Sequence, residues 1–308
     1  MPQDIWPRIA VMGAGAVGCY FGGLLARAGA PVTLIGRAQH VEAINRDGLG
    51  FESKQVQQRI PVLASTELAA AHAAELVLLC VKTLDTEAAA RALAPHLAGN
   101  AVVVSLQNGV DNVERIRAAV GIDAIPAVVY VGAEMTAPGN VKHTARGDLV
   151  VGDPMHRRSL DDLAAVFVRA GVPCRVSDNI EGELWVKLII NCAYNAISAL
   201  SRARYGRMAS HPAARALMRQ VVEEIVAVAR AAGVRLPDLD LVEVTWKLAD
   251  SMPETLSSTA QDILRGKRTE IDSLNGYVAR RGAELGIATP VNQTLLALVK
   301  LLEESAAG

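Results

Sequence analysis

The sequence carries almost no net charge: 31 Lys and Arg stand against 32 Asp and Glu, a formal −1. So balanced a chain casts no whole-molecule field toward nucleic acid or anionic lipid, and neither is expected as a partner. It also lacks an unbroken apolar run of the ~18 residues that a membrane helix needs. The opening MPQDIWPRIAV has no positive segment followed by an apolar core. No membrane association and a cytoplasmic location are therefore the expectations. Cysteine is scarce as well: Cys19, Cys80, Cys174 and Cys192 show no CxxC or metal-type spacing and have mostly apolar neighbours. They read as reduced core residues, and no metal site is expected.

What the chain has in quantity is apolar material, 51% of 308 residues. That length exceeds what one core usually holds and points to two domains. The first half alternates strand-like runs with helical stretches: IAVMGAG, CYFGGLLARAG, PVTLIGR, HVEAINRDG, ELVLLCVK, TEAAARALAPHL, AVVVSLQNG, NVERIRAAVG and AIPAVVYVGAEM. Such an order argues for an α/β fold, a parallel sheet covered on both faces. RIPVLASTEL, VKHTARGDLVVG and PCRVSD read as shorter or peripheral strands. From about Ile180 the strand signal stops, and long helices follow, broken at SHP, RLPD, SMPE and ATP.

Gly13-Ala14-Gly15-Ala16-Val17-Gly18 directly follows the first strand and opens a helix. In a GxGxxG turn the first glycine permits the tight bend and the second lets the backbone approach a pyrophosphate. The third lets helix and strand pack closely, while the helix N-terminus offers its amides to the phosphates. The expectation is a Rossmann-type doubly wound sheet, residues 1–178, binding NADP(H), followed by an all-α C-terminal domain, residues 179–308. An NAD site would place an acid at the end of the second strand, yet that strand ends Gly36-Arg37. An arginine there offers fixed positive donors to a 2′-phosphate, so NADPH/NADP+ is the expected cofactor. Two further strand ends carry polar residues: Lys82 after VLLCV, and Gln107-Asn108-Gly109 after VVVSL. In a doubly wound sheet these ends line the ligand crevice, where a lysine suits phosphate or carboxylate and an asparagine suits the nicotinamide end. Capping of the following helices is the alternative for each.

The helical half opens with Lys187, Asn191 and Asn195, four residues apart on an otherwise apolar helix. This spacing puts them along one side, where polar groups need partners; a proton donor and two substrate-binding amides is the functional reading. Ser257-Ser258 and Glu270 on residues alone read as helix caps and a solvated helix charge.

Taken together, GAGAVG at 13–18, the arginine after the second strand, VKT at 81–83, QNGV at 107–110, KLIINCAYNAISAL at 187–200 and SSTAQDILRGKRTEIDSLNG at 257–276 resemble the ketopantoate reductase (2-dehydropantoate 2-reductase) family. The resemblance spans nearly the whole chain. It implies NADPH-dependent reduction of 2-dehydropantoate to (R)-pantoate, a step towards pantothenate and coenzyme A. Position by position, Lys187 matches the family's proton-donating lysine and Glu270 its neighbouring carboxylate, which also lies near the cofactor. Asn108 matches the residue between nicotinamide and substrate, Asn191 and Asn195 the binders of the substrate's hydroxyl end, and Ser258 the serine holding its carboxylate. Arg37 and Lys82 match cofactor-side residues. The small-molecule partner is then a 2-oxo acid. Tyr194, between the two asparagines, and Thr255, three residues before Ser258, add bulk or polarity that the pattern does not place, and another branched 2-oxo acid is the alternative substrate. A β-hydroxyacid dehydrogenase and a non-catalytic NADP(H) sensor are the other readings. The apolar stripes of residues 221–234 and 293–304 fit either a homodimer interface or the core.

Overall fold

The computed structural model describes residues 5–155 and 159–307. The first four residues, on which the leader reading partly rests, lie outside them. The chain forms two compact units, Met1–Ile180 and Glu181–Gly308.

Unit 1 is built on ten strands: β1 (Ile9–Met12), β2 (Val32–Ile35), β3 (Leu49–Glu52), β4 (Gln57–Ile60), β5 (Leu63–Ser65), β6 (Leu76–Leu79), β7 (Val102–Ser105), β8 (Ile125–Ala137), β9 (Asn140–Val151) and β10 (Cys174–Val176). Its helices are α1 (Ala16–Arg27), α2 (Ala38–Asp47), α3 (Thr86–Leu93), α4 (Asn112–Val120) and α5 (Asp161–Arg169). The sheet runs β4-β3-β9-β8-β7-β6-β1-β2-β5, with β10 beside β9. From β5 to β8 every neighbouring pair is parallel. Side chains alternate between two apolar layers, as a sheet covered on both faces requires. Ile9, Val11, Leu76, Leu78 and Val104 pack with Phe21, Leu25 and Phe167 of α1 and α5. Ala10, Val77, Leu79 and Val103 pack with Ala89, Leu93 and Ile116 of α3 and α4.

The other half of the sheet departs from the parallel expectation. β8 and β9 are 13 and 12 residues long and pair antiparallel, because Pro138-Gly139 joins them without a crossover helix. β3 pairs parallel with β9 and antiparallel with β4, so the sheet is mixed. VKHTARGDLVVG is thus a long inner strand and not a short peripheral one, whereas PCRVSD supplies the short β10.

The chain passes from β1 to β2 on one side and returns to β6 on the other side of β1. The ends of β1, β2, β6 and β7 therefore share one edge, with a topological switch between β1 and β6, the place where open α/β sheets hold ligands.

Unit 2 is helical: α6 (Ile180–Ser201), α7 (Tyr205–Ser210), α8 (Pro212–Ala231), α9 (Leu241–Ser251), α10 (Ser258–Leu264), α11 (Asn275–Leu285) and α12 (Pro290–Ala307). The breaks fall at the Pro-containing stretches because proline suits the first helical turn and not the interior. Pro212 and Pro290 are the first residues of α8 and α12. Asp240 caps α9 by accepting from the amides of Val242 and Glu243, each at 3.0 Å. The α8 stripe Val221, Val222, Ile225 and Val228 is buried, whereas α12 buries Leu295 and Val299 and exposes Leu298 and Leu301. By length and composition alone α6 could cross a membrane, although Glu181, Glu183 and Lys187 interrupt its apolar run. It is mostly buried, as in the core helix of a globular unit.

Candidate active site

The glycine turn is shaped by three different contacts. Gly13 has φ +110, and a Cβ there would lie 2.8 Å from the backbone of Cys80 and Val81, at the end of β6. Gly18 approaches closest: a Cβ would sit 2.1 Å from the carbonyl oxygen of Gly13. Gly15 differs, because a Cβ there would meet nothing within 4 Å. It is also the N-cap of α1, with no capping side chain and no acid in the first turn. The first intrahelical bond runs from Cys19 N–H to Gly15 O, so the amides of Ala16, Val17 and Gly18 precede the ladder. Open space in front of unladdered amides at a helix N-terminus fits a pyrophosphate. Ala14 is buried behind the turn.

Arg37 is exposed and is the N-cap residue of α2, its carbonyl accepting from His40 and Val41 N–H at 2.9 and 3.2 Å. No Asp or Glu follows this strand in the sequence before Glu42. Lys82 and Asn108 are both half-buried in the loops after β6 and β7. The two loops are stitched together. Thr83 Oγ1 and Asn112 Nδ2 each donate to the carbonyl of Asn108 at 2.6 Å. Gln107 Nε2 donates to Val81 O at 3.1 Å and to Thr86 Oγ1 at 2.7 Å, and Gln107 Oε1 accepts from Ser105 Oγ at 2.9 Å. Gln107 thus turns into the protein and does not face the ligand edge, a correction to its expected direction. Residue parity carries the signal: Gln107 lies two places beyond Ser105 and shares its face.

In unit 2, α6 places Lys187 and Asn191 half-buried and Asn195 buried, among Leu188, Ile189, Cys192, Ala193 and Ala196. Asn195 Nδ2 donates to Ser258 Oγ at 3.4 Å, while its carbonyl accepts from Ser257 Oγ at 3.2 Å. The adjacent serines have separate tasks. Ser257 is fully buried and caps α10, accepting from Ala260 N–H at 3.1 Å. Ser258 is the first helical residue and is exposed. Glu270 is 9% exposed, so it is not the solvated helix charge that the residues alone suggest. Its backbone opens a short 3-10 turn, accepting from Ser273 N–H at 2.9 Å. On either side of it, Thr269 N–H donates to Glu303 at 2.7 Å, and Lys300 meets Asp272 at 3.0 Å and Glu303 at 3.3 Å. These bonds, with Lys300 held in its charged form chiefly by the hydrogen bond to Asp272, pin the Glu270 segment to α12.

Tyr194 belongs to the interior, and Thr255 is half-buried. Tyr194 is fully buried, its ring 4.2 Å from that of Tyr205 and its hydroxyl donating to Thr245 O at 3.0 Å. Thr255 serves through its backbone, its carbonyl accepting from Tyr205 N–H at 3.0 Å. The four cysteines are free, Cys19 and Cys192 buried and Cys80 and Cys174 half-buried. Burial pushes the Cys19 thiol up to about 12 and that of Cys174 up to about 11, so they stay protonated at neutral pH.

The ketopantoate reductase PanE/ApbA family model matches residues 9–155, and its C-terminal counterpart matches residues 179–303. A 2-dehydropantoate 2-reductase of Pyrococcus horikoshii is 35% identical over 303 residues, spanning 98% of this chain and 99% of that one. A PanE/ApbA family ketopantoate reductase from Ralstonia eutropha JMP134 superposes at a TM-score of 0.92 with 50% identity, covering 98% of this chain and 100% of that one. A D-mandelate dehydrogenase, solved with NADH and anilino(oxo)acetate, reaches the same TM-score, 0.92, at 24% identity over 98% and 100% of the two chains, a likeness of fold alone. With both family models matched and relatives aligned end to end, the chain belongs to the ketopantoate reductase family of oxidoreductases.

Proposed function

We propose that the protein reduces 2-dehydropantoate to (R)-pantoate with NADPH. The observation that carries this reading is the polar stripe Lys187, Asn191 and Asn195 on a helix whose other faces are apolar and buried, tied through Asn195 to Ser258. When bound, NADPH supplies the hydride. As the ketone carbon gains that hydride its oxygen becomes an alkoxide, and the Lys187 ammonium both stabilises the charge and gives up a proton to it. General acid catalysis of this kind is worth ~10²–10⁴ in rate. Glu270, a carboxylate on a pinned segment, steers the ammonium. Asn191 and Asn195 hold the hydroxyl end of the substrate and Ser258 its carboxylate, while Asn108 positions the nicotinamide against the carbonyl. Gly13 to Gly18 take the pyrophosphate. Arg37, exposed at a strand end without an acid, takes the 2′-phosphate, and Lys82 adds positive charge on the cofactor side. A homodimer completes the reading, and a monomer in sedimentation at micromolar concentration removes that part of it.

The test is steady-state oxidation of the reduced nicotinamide with 2-dehydropantoate beside a panel of other 2-oxo acids, with NADPH and NADH in parallel. High efficiency with 2-dehydropantoate and NADPH is expected. Turnover confined to another 2-oxo acid replaces the substrate and keeps the chemistry; cofactor binding without turnover on any acid overturns the catalytic reading.

A further inference from the structure

The bonds that surround the Asn108 carbonyl go beyond what loop closure needs. A carbonyl oxygen has two lone pairs, and both are taken, by Thr83 Oγ1 and by Asn112 Nδ2, each at 2.6 Å. Thr83 and Asn112 are 0% and 4% exposed and Asn108 is half-buried, so turning the peptide that follows Asn108 breaks two hydrogen bonds from buried donors at once. The next residue, Gly109, has φ +95, a conformation that L side chains rarely adopt and glycine accepts freely. The backbone at Asn108 is thereby held from both sides, by β7 before it and by the double clamp after it. Lys82 is bracketed by the same set, since Val81 before it accepts from Gln107 and Thr83 after it donates to Asn108.

Resting on the reading of Asn108 given above, we propose that Thr83 is a positioning residue of the reductase: its hydroxyl fixes the Asn108 peptide and so aims the Asn108 side chain at the reacting end of the cofactor. Thr83 touches neither substrate nor cofactor in this role and acts only through Asn108.

A double-mutant cycle between the two residues tests it. Thr83→Val keeps the side-chain shape, leaves the Asn108 carbonyl one donor, and is expected to lower kcat about tenfold, the worth of roughly one buried hydrogen bond. Substrate KM and NADPH affinity, the latter measured by titration of protein fluorescence, stay within about twofold of wild type. Thr83→Ser restores the hydroxyl and returns kcat to within about twofold. In the Asn108→Ala background Thr83→Val has little further effect, because the group it aims is gone. A wild-type kcat for Thr83→Val, no recovery in Thr83→Ser, or the same tenfold loss in the Asn108→Ala background each overturns the proposal. Should Thr83→Val fail to fold, Thr83→Cys, a weak donor of similar bulk, is read in the same cycle. Wild-type turnover in Asn108→Ala alone removes the Asn108 assignment, and the positioning role falls with it.

Discussion

Around Gly13–Gly18 the side chains are hydrogen, methyl or isopropyl, and what is left to bind a ligand is main chain. Along α6 the main chain is consumed by the helix, and only side chains at every fourth position are left to act. The first arrangement suits a large ligand recognised by its phosphates, because amides at a helix start are numerous and fixed. The second suits proton transfer, because a single ammonium at one place does what no array of amides can. The comparison teaches where each region is vulnerable: the turn to added bulk, the helix to removal of a functional group.

The largest effect expected is on the helix. Lys187→Ala lowers turnover by ~10²–10⁴ while NADPH affinity stays nearly unchanged, as measured by rapid kinetics beside cofactor titration. Turnover near wild type removes the proposed acid. The turn is probed by adding one methyl at two places. Gly18→Ala puts a carbon 2.1 Å from Gly13 O and is expected to cost about 1–3 kcal/mol of stability in a denaturant melt. Gly15→Ala meets no protein atom within 4 Å and has an ordinary negative φ of −91°, so it folds as well as wild type. It nonetheless weakens cofactor binding about tenfold or more, by standing where the pyrophosphate approaches. Equal affinity in Gly15→Ala and wild type breaks the contrast between main-chain and side-chain recognition.

Arg37→Ala sharpens it, since the role proposed for Arg37 is that of a side chain beside a main-chain site. NADPH affinity is expected to fall about tenfold and NADH affinity to stay the same, and equal losses sink the 2′-phosphate assignment. The smallest pair separates fold from function on α10. Ser257→Ala removes a buried cap and costs about 1–2 kcal/mol of stability. Ser258→Ala removes only the long 3.4 Å bond from Asn195, so it costs less stability than Ser257→Ala, and it raises substrate KM several-fold, as roughly one lost hydrogen bond would.

Most of the parallel half of the sheet was legible because β1, β2, β6 and β7 are short apolar runs, each followed by a turn and a helix. The β8–β9 hairpin was not, since Tyr130–Met135 are half-buried and give no clean period, and β9 also pairs with β3 and β10, which lie far from it in sequence. α6 was legible from its polar spacing alone. Its neighbours were less so: Tyr194 sits between two polar positions and looks like part of their site, yet helical phase turns it onto Tyr205 and into the core. The split between Ser257 and Ser258 was equally hidden, because a helix of seven residues is too short for its phase to be read from pattern. Gln107 could have been read from strand parity, whereas the Thr83 half of the clamp on Asn108 joins residues 25 positions apart and needs coordinates.

Ser258 has a consequence for protein engineering. It is an exposed side chain, one position past the cap, and the capping of its helix is done by Ser257. A library randomised at this position should yield mostly folded members, while one randomised at Ser257 should not. If Ser258 holds the substrate carboxylate as proposed, substrate choice can be screened at residue 258 with little loss of stability, and the carboxylate-bearing end of the substrate is the part for which selectivity should shift first.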